Sequence, residues 1–120
     1  MPDPQTVDEL LAEARADLER LTPAQARDAI EAGAALVDIR SDSQRERDGV
    51  VPGARFVPRN VLEWRLDALA RANARVILMC DEGYQSSLAA ATARRLGVDA
   101  TDLDGGFQGW RASGLPVEPL

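Results

Sequence analysis

The chain has 120 residues, 45% hydrophobic and 28% charged, a size and mix that support one compact core. Its 20 acidic residues outweigh 14 basic ones for a formal charge of −6, which argues against a phosphate-backbone-binding surface and against nucleic acid as a partner. There is no histidine, Cys80 is the one cysteine and every basic residue is an arginine, so histidine-dependent triads, His-containing zinc sites, intramolecular disulfides and lysine Schiff bases are excluded. Any catalysis must come from the one thiol, from carboxylates or from a bound cofactor.

No run approaches the roughly 20 apolar residues that cross a bilayer, and residues 1–20 are acidic rather than basic and apolar like an export signal. The expectation is a cytoplasmic protein with no membrane partner. Val7, Leu10, Leu11, Ala14, Leu18 and Leu21 recur at helical spacing, predicting an amphipathic helix over Val7–Leu21. Residues 1–20 read as an N-terminal extension, whether lid, dimer contact or stabilising addition, and 21–120 as the domain proper. Thr22-Pro23 opens a second helix that ends at Gly33.

Ala35–Ile39 reads as a buried strand whose carboxyl end carries Asp38 and Arg40. Ser41–Asp48 reads as a polar loop or a single helical turn. After the Val51-Pro52-Gly53 turn, Ala54–Val57 is a second short strand ended by Pro58. Asn60 is the expected cap of a helix carrying Val61, Leu62, Trp64, Leu66 and Leu69. Arg75–Cys80 is the most apolar run and predicts a central strand buried on both faces. A helix over Gln85–Leu96 closed by Gly97, a strand over Ala100–Leu103, the Gly105-Gly106 turn and a last helix through Phe107 and Trp110 complete the chain. Trp64 and Trp110 are expected in the core. Alternating strands and helices predict an α/β domain with a mostly parallel sheet.

Binding sites of parallel α/β sheets lie outside the carboxyl ends of the strands, and Cys80 ends the best strand. Asp81, Glu82, Gly83, Tyr84, Gln85 and Ser86 then lead straight into a helix, so successive amides and the positive helix end can gather around the sulfur and stabilise a thiolate. Two readings stay open here: a reactive thiol, or a small buried hydrophobe ending a strand. Asp81 and Glu82 oppose a thiolate if they point inward. Gly83 supplies the positive φ that a tight loop needs. Ser86 and Ser87 either cap the helix or bond the sulfur, and Tyr84 either shapes the pocket mouth or packs. Asp38 and Arg40 read as a structural ion pair or loop anchor in support of the site. Asp42, Arg45, Arg47 and Arg59 read mainly as solvated surface.

Four segments carry a resemblance to a known family. Leu36-Val37-Asp38-Ile39-Arg40, Gly49-Val50-Val51-Pro52-Gly53-Ala54, Cys80 followed by Gly83 and Ser86, and Asp104-Gly105-Gly106-Phe107-Gln108-Gly109-Trp110 with Gly114-Leu115-Pro116-Val117 resemble, in order, the signatures of single-domain rhodaneses. The resemblance covers roughly Leu21 to Val117. It implies a three-layer α/β fold, a central, mostly parallel sheet of about five short strands flanked by helices on both faces. It also implies a sulfurtransferase in which Cys80 takes a sulfane sulfur from thiosulfate or a persulfide or polysulfide donor and passes it to a thiol or cyanide acceptor. No cofactor or metal is implied, and a protein persulfide is a candidate donor or acceptor.

Two departures stand out: Val50 replaces the family's usual histidine, and Asp81 and Glu82 stand where many family loops carry a base. The first basic residues after Cys80 are Arg94 and Arg95, so thiosulfate, a dianion, meets no side-chain clamp within the loop. The acidic loop motivates an alternative, a noncatalytic rhodanese-like binding or regulatory module. A cysteine phosphatase or arsenate reductase is disfavoured, because such loops end in an arginine and the fifth and sixth positions after Cys80 are Gln85 and Ser86.

Overall fold

The computed structural model describes residues 3–72 and 75–120. Helix α1 (Val7–Arg15) opens with a capping box between Thr6 and Glu9, and α2 (Pro23–Glu31) with one between Thr22 and Gln25. The predicted helix to Leu21 stops short, at Arg15. The reason is tertiary: Leu21 is drawn into the sheet, its N–H donating to Asp102 O (3.0 Å) and its carbonyl accepting from Asp104 N–H (2.8 Å).

Strand β1 (Ala35–Asp38) is followed by α3 (Asp42–Asp48), where a loop or single turn was expected; a third capping box, Ser41 with Gln44, makes this polar stretch helical. Strand β2 (Arg55–Phe56) leads to a 3-10 turn, Arg59–Val61, and to α4 (Leu62–Ala72). Asn60 lies inside that turn, so it does not cap the helix as expected. Strand β3 (Val76–Met79), α5 (Gln85–Arg95), β4 (Ala100–Asp102) and α6 (Gly106–Ala112) follow at nearly their expected places.

The sheet is parallel throughout in the order β2-β1-β3-β4, with Val37 opposite Leu78 and Leu78 opposite Asp102. Among the described residues it has four strands, where about five were expected. At the β4 edge the described residues make a single parallel bridge, Leu21 with Leu103, because Thr22 immediately starts α2. Alternation along β3 sends Leu78 into one core with Leu66 and Leu69 of α4 and Ala89, Ala90 and Ala93 of α5. Ile77 and Met79 enter the other core, with Ala26 of α2 and Phe107 and Trp110 of α6. The result is three layers. Ile77, Leu78 and Met79 are fully buried, each worth about 1.5–3 kcal/mol relative to exposure.

Trp110 belongs to this core, its indole N–H donating to Pro116 O at 2.8 Å, whereas Trp64 is 81% exposed and does not. Helix periodicity accounts for the correction: residues two apart on a helix face opposite sides, and Leu62, Leu66 and Leu69 take the inner one. Among the described residues no helix is long and apolar enough to cross a membrane.

Candidate active site

Cys80 stands one residue past β3, buried at the carboxyl edge of the sheet between β1 and β4. The loop after it folds back so that the Gly83 and Ser86 N–H groups both donate to Sγ, at 3.1 and 3.3 Å. The thiol in turn donates to Ser86 Oγ at 3.4 Å. Gly83 takes φ +93°, and a Cβ there would lie 3.0 Å from Gly105 N. From below, the first turn of α6 grips the loop: Phe107 N–H donates to Cys80 O (2.9 Å) and Gln108 N–H to Asp81 O (3.1 Å). That approach requires Gly106, where a Cβ would meet Cys80 O and Asp81 O at 2.6 Å.

The acidic pair does not turn onto the sulfur. Asp81 accepts from Gln108 Nε2 at 3.0 Å and lies 3.7 Å from Arg47, while Glu82 is exposed. Tyr84 and Gln85 are exposed as well, Tyr84 beneath the guanidinium of Arg15. Asp48 anchors the neighbouring surface, accepting from Arg47 (2.7 Å) and Gln108 (2.9 Å) and pairing with Arg111 (3.3 Å). Hydrogen bonds from Arg47 and then Gln108 hold the Asp48 carboxyl well below the usual carboxylate range, and the Asp48 bond raises Arg47 in return.

Asp38 and Arg40 form a buried fork, with Arg40 Nε on Oδ1 (3.1 Å) and Nη2 on Oδ2 (2.9 Å). Nη2 also donates to Gly49 O (2.8 Å), and the guanidinium stacks 3.8 Å over the Phe107 ring. The pair therefore ties β1 to the turn before β2 and to α6, the helix that grips the Cys80 loop.

Behind the loop lies a network that sequence reasoning missed. Asp102, fully buried at the end of β4, accepts from the hydroxyls of Ser86 and Ser87 at 2.8 Å each and is gripped by Arg20 at both oxygens (3.0 and 3.2 Å). Arg20 Nη2 and Arg15 Nη2 converge on the Gly83 carbonyl, at 2.9 and 2.7 Å. One signal was available for Asp102: it shares strand parity with Ala100, which packs under α5. Among the described residues no cluster of acids or cysteine could hold a metal.

Residues 22–113 match the rhodanese-like domain family. The chain belongs to that family. It is 37% identical over 97 residues to a thiosulfate sulfurtransferase GlpE of Pseudomonas paraeruginosa (strain DSM 24068 / PA7), covering 78% of this chain and 84% of that protein. Together the family and this relative make the chain a sulfurtransferase of the rhodanese type. Among solved structures it resembles RPA3614 of Rhodopseudomonas palustris CGA009, a protein of unknown function described as "Possible Tyrosine Phosphatase", with TM-score 0.87 and 31% identity over 98% of this chain and 99% of that one. It also resembles a thiosulfate sulfurtransferase from Pseudomonas aeruginosa, with TM-score 0.74 and 28% identity over 85% of this rhodanese-like chain and 19% of that one.

Proposed function

We propose that this rhodanese-like chain moves a sulfane sulfur from thiosulfate, or from a persulfide or polysulfide, to a thiol or cyanide acceptor through a persulfide on Cys80. In the first half-reaction the Cys80 thiolate attacks the outer sulfur of thiosulfate. A new S–S bond forms, the bond to the sulfonate sulfur breaks, and sulfite leaves with the electron pair. In the second, the acceptor attacks the outer sulfur of the persulfide and Cys80 leaves as thiolate, giving a new persulfide from a thiol or thiocyanate from cyanide. Both halves return the same charge on sulfur, so no external oxidant or reductant is needed.

The observation that carries this reading is the pair of N–H groups, Gly83 and Ser86, directed at Sγ. Fixed backbone dipoles aimed at an anionic sulfur stabilise it without reorganisation. The relatives named as thiosulfate sulfurtransferases favour thiosulfate as one donor. The phosphatase description of the Rhodopseudomonas protein has no counterpart here, because Ser86 occupies the sixth position after Cys80 and its hydroxyl is committed to Asp102.

The test is intact mass after incubation with thiosulfate, and separately with a polysulfide, for the wild type and Cys80→Ser. A reducible gain of one sulfur on the wild type alone is expected. No gain from either donor, with the thiol still open to alkylation, would replace this reading with a noncatalytic rhodanese-like module.

A further inference from the structure

A thiolate and a persulfide both leave negative charge on sulfur, yet residues 81–86 carry two acids and no base. The positive charge arrives from the N-terminal segment instead. Gly83 directs its N–H at Sγ, while its carbonyl, in the next peptide unit, accepts from Arg15 Nη2 (2.7 Å) and Arg20 Nη2 (2.9 Å). Arg15 also donates to Ser87 Oγ at 2.9 Å, in the first turn of α5. Both arginines precede residues 22–113, the span that matches the family.

The two guanidiniums differ in what neutralises them. Arg20 is paired with Asp102 and Asp104. For Arg15 no carboxylate stands within ion-pair distance among the described residues, although the side chain is held against the loop at two points. The other titratable or charged side chains at the loop are Asp81, Glu82 and Tyr84, with Arg47, Asp48 and Arg111 grouped around Gln108; Asp81 and Arg47 face each other at 3.7 Å, Asp48 pairs with Arg47 and Arg111, and Tyr84 lies beneath Arg15. Arg15 is thus a cation with no carboxylate partner among the described residues, held on the residue whose N–H is directed at the sulfur.

We infer that Arg15 is a positioning residue of the sulfur-transfer site: with Arg20 it clamps the Gly83 carbonyl, fixes the Gly83 N–H on Cys80 and supplies the positive charge that the loop lacks, making the N-terminal segment part of the working site. The inference rests on the sulfur-transfer reading of Cys80 for its effect on loading. Its effect on the thiolate is measured separately.

The experiment compares the wild type with Arg15→Gln, Arg15→Lys and a control, Arg27→Gln, which removes an arginine paired with Asp28 on α2. No residue of α1 is fully buried, so the Arg15 variants keep the core. Thiolate ultraviolet absorbance is followed against pH, and single-turnover loading from thiosulfate is timed at neutral pH. Arg15→Gln is expected to move the absorbance midpoint up by about half a pH unit and to slow loading about threefold, with Arg15→Lys restoring part of both and Arg27→Gln changing neither. An Arg15→Gln profile superimposed on the wild type, or a shift that Arg27→Gln reproduces, would overturn the clamp. A wild type that loads from no donor would remove the sulfur-transfer reading, and the absorbance profiles would still decide whether Arg15 acts on the thiolate.

Discussion

Replacing Asp102 by asparagine tests whether the network behind the loop holds the site together. The carboxylate receives Arg20 Nε on Oδ1, and Arg20 Nη2, Ser86 Oγ and Ser87 Oγ on Oδ2. An asparagine has one oxygen and one NH2, so at least one donor must face another donor. The cheaper orientation keeps its oxygen at the Oδ2 position and sets the NH2 against Arg20 Nε. That forfeits one charge-assisted hydrogen bond, about 1.5–3 kcal/mol, and leaves Arg20 without its buried counter-ion. A fully buried pair broken in this way costs about 3–5 kcal/mol. Arg20 is 17% exposed and keeps Asp104, which brings the expected loss to about 3 kcal/mol. Asp102→Ala leaves every donor without its partner and should cost more. Urea unfolding at neutral pH, with the slope unchanged, gives both values, and a double-mutant cycle with Arg20→Gln gives a coupling of about 1–3 kcal/mol. If Asp102→Asn and Asp102→Ala both lie within about 1 kcal/mol of the wild type, the network does not anchor the loop and the reasoning fails.

Three further outcomes are expected. Asp48 is held ionised below its ordinary value of 3.8 by Arg47 and Gln108, so its contribution is complete above the unfolded value and fades as pH falls through the folded one. The difference in urea midpoint between wild type and Asp48→Asn should therefore be largest at neutral pH and shrink below about pH 4, and a constant difference down to pH 2 would contradict this. Trp110→Ala should cost about 3–5 kcal/mol and Trp64→Ala no more than about 0.5, with Trp110→Phe keeping the long-wavelength emission of an exposed indole; equal costs for the two tryptophans would refute the placement. Gly106→Ala, with φ +60° and a Cβ 2.6 Å from Cys80 O, should destabilise by at least about 2 kcal/mol and lower the loading of Cys80, whereas wild-type stability and loading would show that α6 does not grip the loop.

The strands were legible because each is a short apolar run, and β3, buried on both faces, is the clearest. Helix starts were legible where a hydroxyl precedes the first turn, as Thr22 precedes Pro23, but Ser41 before a polar segment with no apolar stripe gave no reason to expect more than one turn. The end of α1 was not legible, since Leu18 and Leu21 continue the helical period and only the edge of β4 demands that Leu21 become extended. Trp64 was misplaced by hydrophobicity when its spacing from Leu62 and Leu66 already set it on the outer face. The thiol and its loop could be placed from local order alone, strand then Cys80 then helix. Asp102, Arg15 and Arg20 could not, because Arg20 lies 82 residues from Asp102 and Arg15 lies 68 from Gly83, and no local pattern announces such a contact.

The same contacts answer the difficulty posed by an acidic loop in a chain of net charge −6. A charge acts on the sulfur by where it points and what screens it, not by its distance in sequence. Asp81 is turned to Gln108 and Arg47, Glu82 is in solvent, and Asp102 and Asp104 are taken up by Arg20. What remains aimed at Sγ is the pair of N–H groups of Gly83 and Ser86, and what remains uncompensated behind them is Arg15. An exposed carboxylate beside the thiol is screened by water, whereas the buried N–H dipoles, and to a lesser degree the half-buried cation behind them, act through a less polarisable medium and count for more. On the sulfur-transfer reading of Cys80, the acids of the loop shape the rim that an incoming donor meets, and the arginines that precede the family-matching span set the state of the sulfur it reaches.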